Sequence, residues 1–352
     1  MKLPVTDCSA DQAFQRQVLR RNVALAGILT LVVAAFLIDL FTGPAALTPQ
    51  AVLDALVRPG SVSSSQKLIV WTFRLPMAVM AIAVGASLGL AGGQMQAVLN
   101  NPLASPYTLG VSAAASFGAA LVLVFGVGRT GMASTLAVSA GAFVSAVACS
   151  LLLFFFCRVQ RGSAETLLVG GVSLHFLFSS GLAFMEYMAS SDALNTIVFW
   201  TFGSLQGASW EKVGILSSVF LGVICLILPY AWQLTALKLG DEAALGLGID
   251  VHRLKLRIML LVSILTATAV SFTGSIGFVG LVAPHLARML VGADQRYLIV
   301  VSAGVGALLV SAAGTLSKTL VPGSVLPIGI ITAAIGAPFF VGLALWSGRG
   351  RL

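Results

Sequence analysis

The chain contains a stretch from Leu75 to Gly128 with no Asp, Glu, Lys, Arg or His, and this stretch strongly limits what it can fold into. As a single helix with a rise of 1.5 Å per residue it would be about 81 Å long, whereas the hydrocarbon core of a bilayer is about 30 Å thick. The stretch therefore predicts two membrane spans. Asn100-Asn101-Pro102 marks the break between them, because proline disfavours helix in the residue before it.

The composition supports a membrane protein over the whole chain. Apolar residues make up 58% and charged residues only 9%, whereas a soluble domain carries about 25% charged residues. The net charge of +8 lies in short clusters between apolar runs, which is typical of cytoplasmic loops and excludes a nucleic-acid-binding face. The four cysteines have no metal or disulfide spacing, and three lie in apolar runs, so they are interpreted as small hydrophobic residues.

Eight further membrane segments follow from apolar runs of suitable length. The run 258–284 is divided by Gly274, Gly277 and Gly280, which predicts a full span, a tight turn and a shorter helix that carries Arg288. The segment 194–205 is too short to span and is predicted to be a surface helix. The other runs are 23–38, 131–157, 166–185, 213–237, 298–317 and 328–346. The predicted fold is all-α, with ten transmembrane helices.

The distribution of basic residues predicts the orientation of these segments. If all ten segments cross and the amino terminus lies inside, six of the 20 basic residues lie outside: Arg58, Lys67, Arg74, Arg129, Lys212 and Lys318. The other 14 are then cytoplasmic, which favours both termini inside. Residues 1–22 are predicted to be a cytoplasmic tail and 23–348 the membrane domain. The first apolar run lacks a small-residue cleavage site and is predicted to be a retained helix.

Catalytic chemistry is not predicted from this sequence. It has no GxxxxGK[ST] phosphate loop, no His-Glu-x-x-His and no carboxylate pair inside an apolar run, so no catalytic residue, bound metal or bound cofactor is expected. Asp39 and Glu186 stand at span ends, where we expect water to reach them, and His175 is interpreted as a packed histidine or, less readily, a ligand. A proton- or sodium-coupled carrier would need a buried titratable pair, and a membrane enzyme a convergent polar set; neither is expected.

The loop 238–257 is the most charged in the chain. Asp241 is predicted to cap a short helix that carries Glu242 in its first turn and stops at Gly246 or Gly248. A small face of Ala243, Ala244 and Gly246 would fit the groove of a partner protein. A solvated cytoplasmic turn explains the same residues equally well.

Several short motifs follow one another along the chain: Arg74-Leu75-Pro76, Asn101-Pro102-Leu103-Ala104, Leu109-Gly110-Val111-Ser112, Trp200 with Gly203-Ser204-Leu205 and Trp210, Leu239–Ile249, Gly277–Val282 with Pro284-His285, Leu326–Gly329 and Ile335–Phe339. Together these motifs resemble permeases of the iron-chelate and cobalamin uptake group of ABC importers. Those permeases have an inverted repeat, and Ser87–Gly92 echoes Ser275–Gly280 weakly in this chain.

The resemblance implies a type II importer permease of ten helices in the bacterial inner membrane. Such a permease pairs with an identical or a different permease chain, binds two ATPase subunits that hold ATP and Mg, and receives substrate from a periplasmic binding protein. The substrate stays open between a ferric siderophore, haem and cobalamin. The siderophore is favoured because most such permeases resemble iron-chelate importers.

The resemblance also implies roles for individual residues. Arg74 and Lys318 match positions that dock the binding protein, although Met77 replaces the next basic residue and Lys318 stands where arginine is usual. Ser163, Ala164, Glu165 and Thr166 match the inner gate, where an acidic residue is unusual. The ATPase-coupling segment is Gly240, Asp241, Glu242, Ala243, Ala244, Leu245, Gly246, Leu247 and Gly248.

Overall fold

The computed structural model describes residues 8–45, 47–126, 132–159, 164–321 and 323–349, and within them every regular element is a helix. The α-helices are α1 (Cys8–Phe41), α2 (Pro49–Val57), α3 (Ser64–Leu68), α4 (Leu75–Val98), α5 (Val111–Phe125), α6 (Met132–Val159), α7 (Ala164–Met188), α8 (Ser191–Thr201), α9 (Trp210–Ile227), α10 (Ala231–Ala236), α11 (Asp241–Gly246), α12 (Val251–Thr273), α13 (Val279–Val291), α14 (Gln295–Thr319) and α15 (Ile328–Arg349). The all-α prediction is confirmed.

Seven of the described helical segments are long and apolar enough to cross a membrane: Gln15–Phe41, Ser64–Val98, Thr135–Phe156, Leu167–Met188, Trp210–Leu239, Val251–Thr273 and Gln295–Thr319. Three shorter apolar helices cover Val111–Phe125, Val279–Val291 and Ile328–Gly342. Each predicted membrane segment therefore has a helix in the structure. The predicted surface helix is also present as α8.

The helix ends differ from the predictions at two places. α1 is continuous from Cys8, so the predicted boundary at residue 22 falls inside a helix. After α4 ends at Val98, α5 begins only at Val111 and has 15 residues, which makes this segment shorter than predicted. The residues between them form a compact turn, in which the backbone N–H of Ser105 donates to the Thr108 hydroxyl at 3.0 Å and the N–H of Thr108 donates back at 3.2 Å.

α4 lies at the centre of the bundle and packs against α9, α12, α13 and α14. Its contact with α14 is a backbone-to-backbone approach: a Cβ on Gly85 would clash with the carbonyl of Gly306, and one on Gly89 with the carbonyl of Ser302. Gly85 and Gly89, one helical turn apart, therefore let the backbones of α4 and α14 approach closely.

The turn between α12 and α13 joins distant parts of the chain through backbone hydrogen bonds. Gly274 ends α12 with a positive φ of 72°, and a side chain there would clash with the carbonyl of Trp200. The N–H of Ser204 donates to the Thr273 carbonyl at 2.7 Å, and the N–H of Ile328 donates to the Gly203 carbonyl at 3.0 Å. The ends of α8 and α12 and the start of α15 therefore form one junction.

Side-chain contacts define the two ends of the bundle. At one end, which contains Phe41 and Thr319, Lys318 of α14 pairs with Asp39 of α1. At the other end, which contains Val98 and Val251, Arg21 of α1 pairs with Asp294 just before α14. We call these the outer and inner ends, after the orientation that the basic residues predict.

Candidate functional site

The loop 238–257, which is predicted to couple to an ATPase and which we call the coupling loop, lies at the inner end. It follows a turn of 3-10 helix, Leu237–Leu239, and continues into α11. Gly240, with a φ of 102°, is the N-cap of α11 and has no side chain that could cap the helix. The prediction that Asp241 is the cap is wrong: Asp241 is the first residue of the helix, and its carboxylate binds the Lys255 ammonium at 2.6 Å. The helix ends at Gly246, as predicted.

The small residues of α11 do not share one face. Ala244 is fully buried inside the chain, whereas Ala243 and Gly246 are exposed. The prediction that Ala244 presents itself to a partner is therefore wrong, because its surface is already covered by this chain.

Three leucines of the coupling loop are exposed instead: Leu239 by 72%, Leu245 by 59% and Leu247 by 53%. They stand beside the exposed carboxylates of Asp241 and Glu242. Neighbouring exposed leucines form an apolar patch of the kind that partner proteins cover. Leu245 and Leu247 belong to the segment that the resemblance assigns to ATPase coupling, whereas Leu239 was not among the predicted site residues.

Arg74 lies at the outer end, and its side chain points inward. It is the last residue of a π-helical segment, Ile69–Arg74, that continues into α4. Its guanidinium donates to the carbonyls of Ala45 at 2.6 Å and of Phe41 at 3.0 Å, and the residue is only 5% exposed. Arg74 therefore binds the last carbonyl of α1 and a carbonyl of the turn that follows it.

Lys318 is buried at the same end. Its ammonium binds the Asp39 carboxylate at 2.8 Å, and the two side chains are 3% and 0% exposed. Thr315 donates a further hydrogen bond to Asp39 at 3.3 Å. Two sequence predictions are corrected here: Asp39 is not reached by water, and the chain does have a buried titratable pair.

The predicted inner gate spans the start of α7. Ser163 lies outside the described residues. Ala164, Glu165 and Thr166 form the first turn of α7, where the structure describes the backbone.

His175 of α7 lies beside Tyr107, with 6.2 Å between the ring centroids. Its imidazole is half-buried, and the buried Nδ1 atom has no hydrogen-bond partner among the described residues. The backbone of Gly110 packs against the backbone of His175, which brings the turn before α5 close to α7. The ring packs against Tyr107 and Phe176, in agreement with the interpretation of His175 as a packed histidine.

With this geometry described, comparison with known proteins identifies the class. The chain belongs to the FecCD transport family, whose model matches residues 31–346. The resemblance seen in the sequence motifs is confirmed. The chain is a permease subunit of an ABC transporter rather than an enzyme, and ATP is hydrolysed on a separate subunit.

Individual relatives cover most of the chain. It is 37% identical to the hemin transport system permease HmuU of Yersinia pestis, over 78% of this chain and 83% of that protein. It is 32% identical to the Fe(3+)-citrate import permease YfmE of Bacillus subtilis, over 94% of this chain and 97% of that protein. It is 36% identical to the vitamin B12 import permease BtuC of Vibrio cholerae, over 79% and 83%.

The fold also matches a solved structure. A putative metal-chelate type ABC transporter in an inward-facing conformation superposes with a TM-score of 0.80 at 30% identity, covering 92% of this chain and 98% of that one. The helical architecture is therefore that of an ABC importer permease.

Proposed function

We propose that this chain carries a ferric siderophore from the periplasm to the cytoplasm as the membrane subunit of an ATP-driven importer. The observation that carries the proposal is the similarity to a ferric citrate permease over 94% of this chain. Ferric citrate and ferric siderophores are both iron chelates with oxygen ligands. In this proposal the chain forms ten spans in the bacterial inner membrane, with both termini in the cytoplasm.

The coupling loop would receive the motion of the ATPase subunits. Leu239, Leu245 and Leu247 would enter an apolar groove on each ATPase, and burial of a leucine side chain contributes about 1.5–3 kcal/mol. The Asp241–Lys255 ion pair ties α11 to α12, so that displacement of α11 acts on a membrane helix. The permease would be a dimer with one ATPase below each subunit, and ATP and Mg would stay on the ATPase.

The outer end would dock a periplasmic binding protein. Arg74 and Lys318 are the proposed docking residues, although both side chains are bonded within this chain. Because Asp39 neutralises Lys318, the proposed contribution is mainly the field of Arg74 through a low-dielectric surface rather than an exposed contact. The inner gate would lie at the start of α7, at residues 163–166.

Transport assays test the substrate. The permease, its ATPase and its binding protein are reconstituted in proteoliposomes, and uptake of ferric siderophores, ferric citrate, hemin and cobalamin is compared with and without ATP. We expect ATP-dependent uptake of the ferric siderophores. Uptake of hemin or cobalamin without uptake of any iron chelate would contradict the proposal.

Haem is a second candidate because Tyr107 and His175 offer two side chains of the kind that ligate haem iron. The unpartnered Nδ1 of His175 is the specific observation in its favour. If haem passes here, hemin added to the purified permease should give a Soret band that shifts in His175→Leu. The variant His252→Leu, in α12 at the inner end, is the matched control. A spectrum that does not change in either variant would remove this candidate.

A further inference from the structure

A cavity of about 210 Å³ opens at the inner end between the first part of α1 and the last turns of α13. Three arginines line it: Arg20 and Arg21 from α1 and Arg288 from α13. Gln17, one turn before Arg21, lines it as well, and Met289 and Leu290 form an apolar wall. The cavity therefore combines several cations with an apolar side.

The positive charge of this cavity is not balanced within the described residues. Asp294 binds Arg21 at 3.1 Å and also binds Arg296 at 3.0 Å, so one carboxylate serves two guanidinium groups. Burial alone would raise the pKa of Asp294. The hydrogen bonds and charge of Arg296, together with the charge of Arg21, outweigh burial and hold this pKa below its ordinary value. Asp294 is therefore ionised at neutral pH, and its single charge is already shared.

Arg20 and Arg288 make no ion pair with a carboxylate in the described part of the chain. The Arg288 guanidinium donates to the neutral amide oxygen of Gln96, while its buried Nε atom has no partner. Arg20 is exposed at the mouth of the cavity. Two guanidinium groups are thus available to an anion that enters between α1 and α13.

The apolar surroundings of the cavity indicate which kind of molecule carries that anion. Met289 is 56% exposed and Leu290 42%, and Val23, on the same helical face as Arg20, is 63% exposed. Guanidinium groups bind phosphate through paired hydrogen bonds, and basic pockets between membrane helices suit lipid headgroups. We propose that this cavity binds the phosphate group of an anionic phospholipid, with the acyl chains lying along α1 and α13.

Lipid binding to the purified permease–ATPase complex tests the proposal. Delipidated complex in detergent is titrated with phosphatidylglycerol, phosphatidylcholine or glycerol 3-phosphate, and bound lipid is counted by native mass spectrometry. We expect phosphatidylglycerol to bind more tightly than phosphatidylcholine. Each basic residue near an anionic lipid surface makes a similar contribution to binding. Loss of two such residues in Arg20→Gln with Arg288→Gln should therefore weaken phosphatidylglycerol binding about 30-fold.

The matched control is Arg253→Gln with Arg257→Gln, which removes the same charge from the inner end without touching the cavity. It should bind phosphatidylglycerol as the unaltered complex does. Arg20→Gln alone, at an exposed position, tests the proposal if the double variant fails to fold. It should weaken phosphatidylglycerol binding less than the double variant does. Equal loss in the control, unchanged binding in Arg20→Gln, or equal affinity for phosphatidylcholine would overturn the proposal. Glycerol 3-phosphate that binds as tightly as the lipid would assign the cavity to a soluble phosphate ester and overturn the lipid assignment.

Discussion

At the outer end of the bundle, the side chains of Arg74 and Lys318 are buried and bonded to α1. At the inner end the coupling loop leaves Leu245 and Leu247 more than half exposed. Cationic side chains are usually exposed and leucines buried, whereas here the outer end buries its cations and the inner end exposes its leucines. Burying a cation requires an internal partner, whereas exposing a leucine loses free energy until another protein covers it.

This difference assigns different tasks to the two ends. The outer charges fix the end of α1 against α4 and α14, so their substitution should act first on stability. The inner leucines make no comparable internal contact, so their substitution should act first on assembly with the ATPase.

The largest expected effect is at the outer pair. Lys318→Met would leave the fully buried Asp39 carboxylate without its cation, and breaking a buried pair in this way costs about 3–5 kcal/mol. We expect a lower free energy of unfolding for this variant in detergent. Lys67→Met, at an exposed lysine of the same end, should have little effect.

The double variant Asp39→Asn with Lys318→Met sharpens this test. It removes both charges, so it should regain much of the stability that Lys318→Met loses, and the difference measures the coupling of the two side chains. A Lys318→Met variant as stable as the unaltered permease would show that the pair does not hold α1.

The second effect concerns the exposed leucines. Leu245→Asp with Leu247→Asp should abolish co-purification of the ATPase, because buried anchor residues of an interface contribute about 2 kcal/mol or more each. The permease itself should keep its unfolding temperature. Leu53→Asp, at a 48% exposed leucine of α2, is the control. ATPase retained at normal stoichiometry by the double variant would exclude these leucines from the interface.

Features set by local sequence were predictable here. The uncharged stretch from Leu75 implies spans, since a bilayer offers no water to charged groups. Gly274, Gly277 and Gly280 predict the break between α12 and α13, and Gly274 has the positive φ that glycine adopts at little cost where a helix ends. The prediction of a short helix in the loop 238–257 is confirmed, and α11 ends at Gly246.

Features that depend on distant contacts were not predictable. Asp39 and Lys318 are 279 positions apart, so nothing local shows that each neutralises the other. The late start of α5 depends on the mutual hydrogen bonds of Ser105 and Thr108, which replace the expected helical turns after Pro102. The orientation of α11 depends on Lys255, whose bond to Asp241 turns Ala244 inward and leaves the leucines outside.

A third prediction separates two explanations for the small residues of α11. Ala244→Arg inserts a long side chain into a filled interior and should lower the free energy of unfolding by about 1–3 kcal/mol even without the ATPase. Ala243→Arg, one residue earlier and exposed, should leave stability unchanged and reduce only ATPase binding. If Ala244→Arg kept full stability and lost only ATPase binding, the small face would be a partner surface after all.

The smallest expected effect is on docking at the outer end. Arg74→Gln keeps a hydrogen-bond donor for the carbonyls of Phe41 and Ala45 but removes the charge. Charges near a surface contribute about 0.2–1 kcal/mol, so we expect binding-protein association at low salt to slow by at most about fivefold, with a flatter salt dependence.

Arg58→Gln, at an exposed arginine just after α2, is the control that separates a buried charge from an exposed one. If the rate changed in Arg58→Gln and not in Arg74→Gln, docking would depend on exposed cations. Arg74 would then serve only to hold the end of α1, because its guanidinium would act through its carbonyl contacts and not through its field.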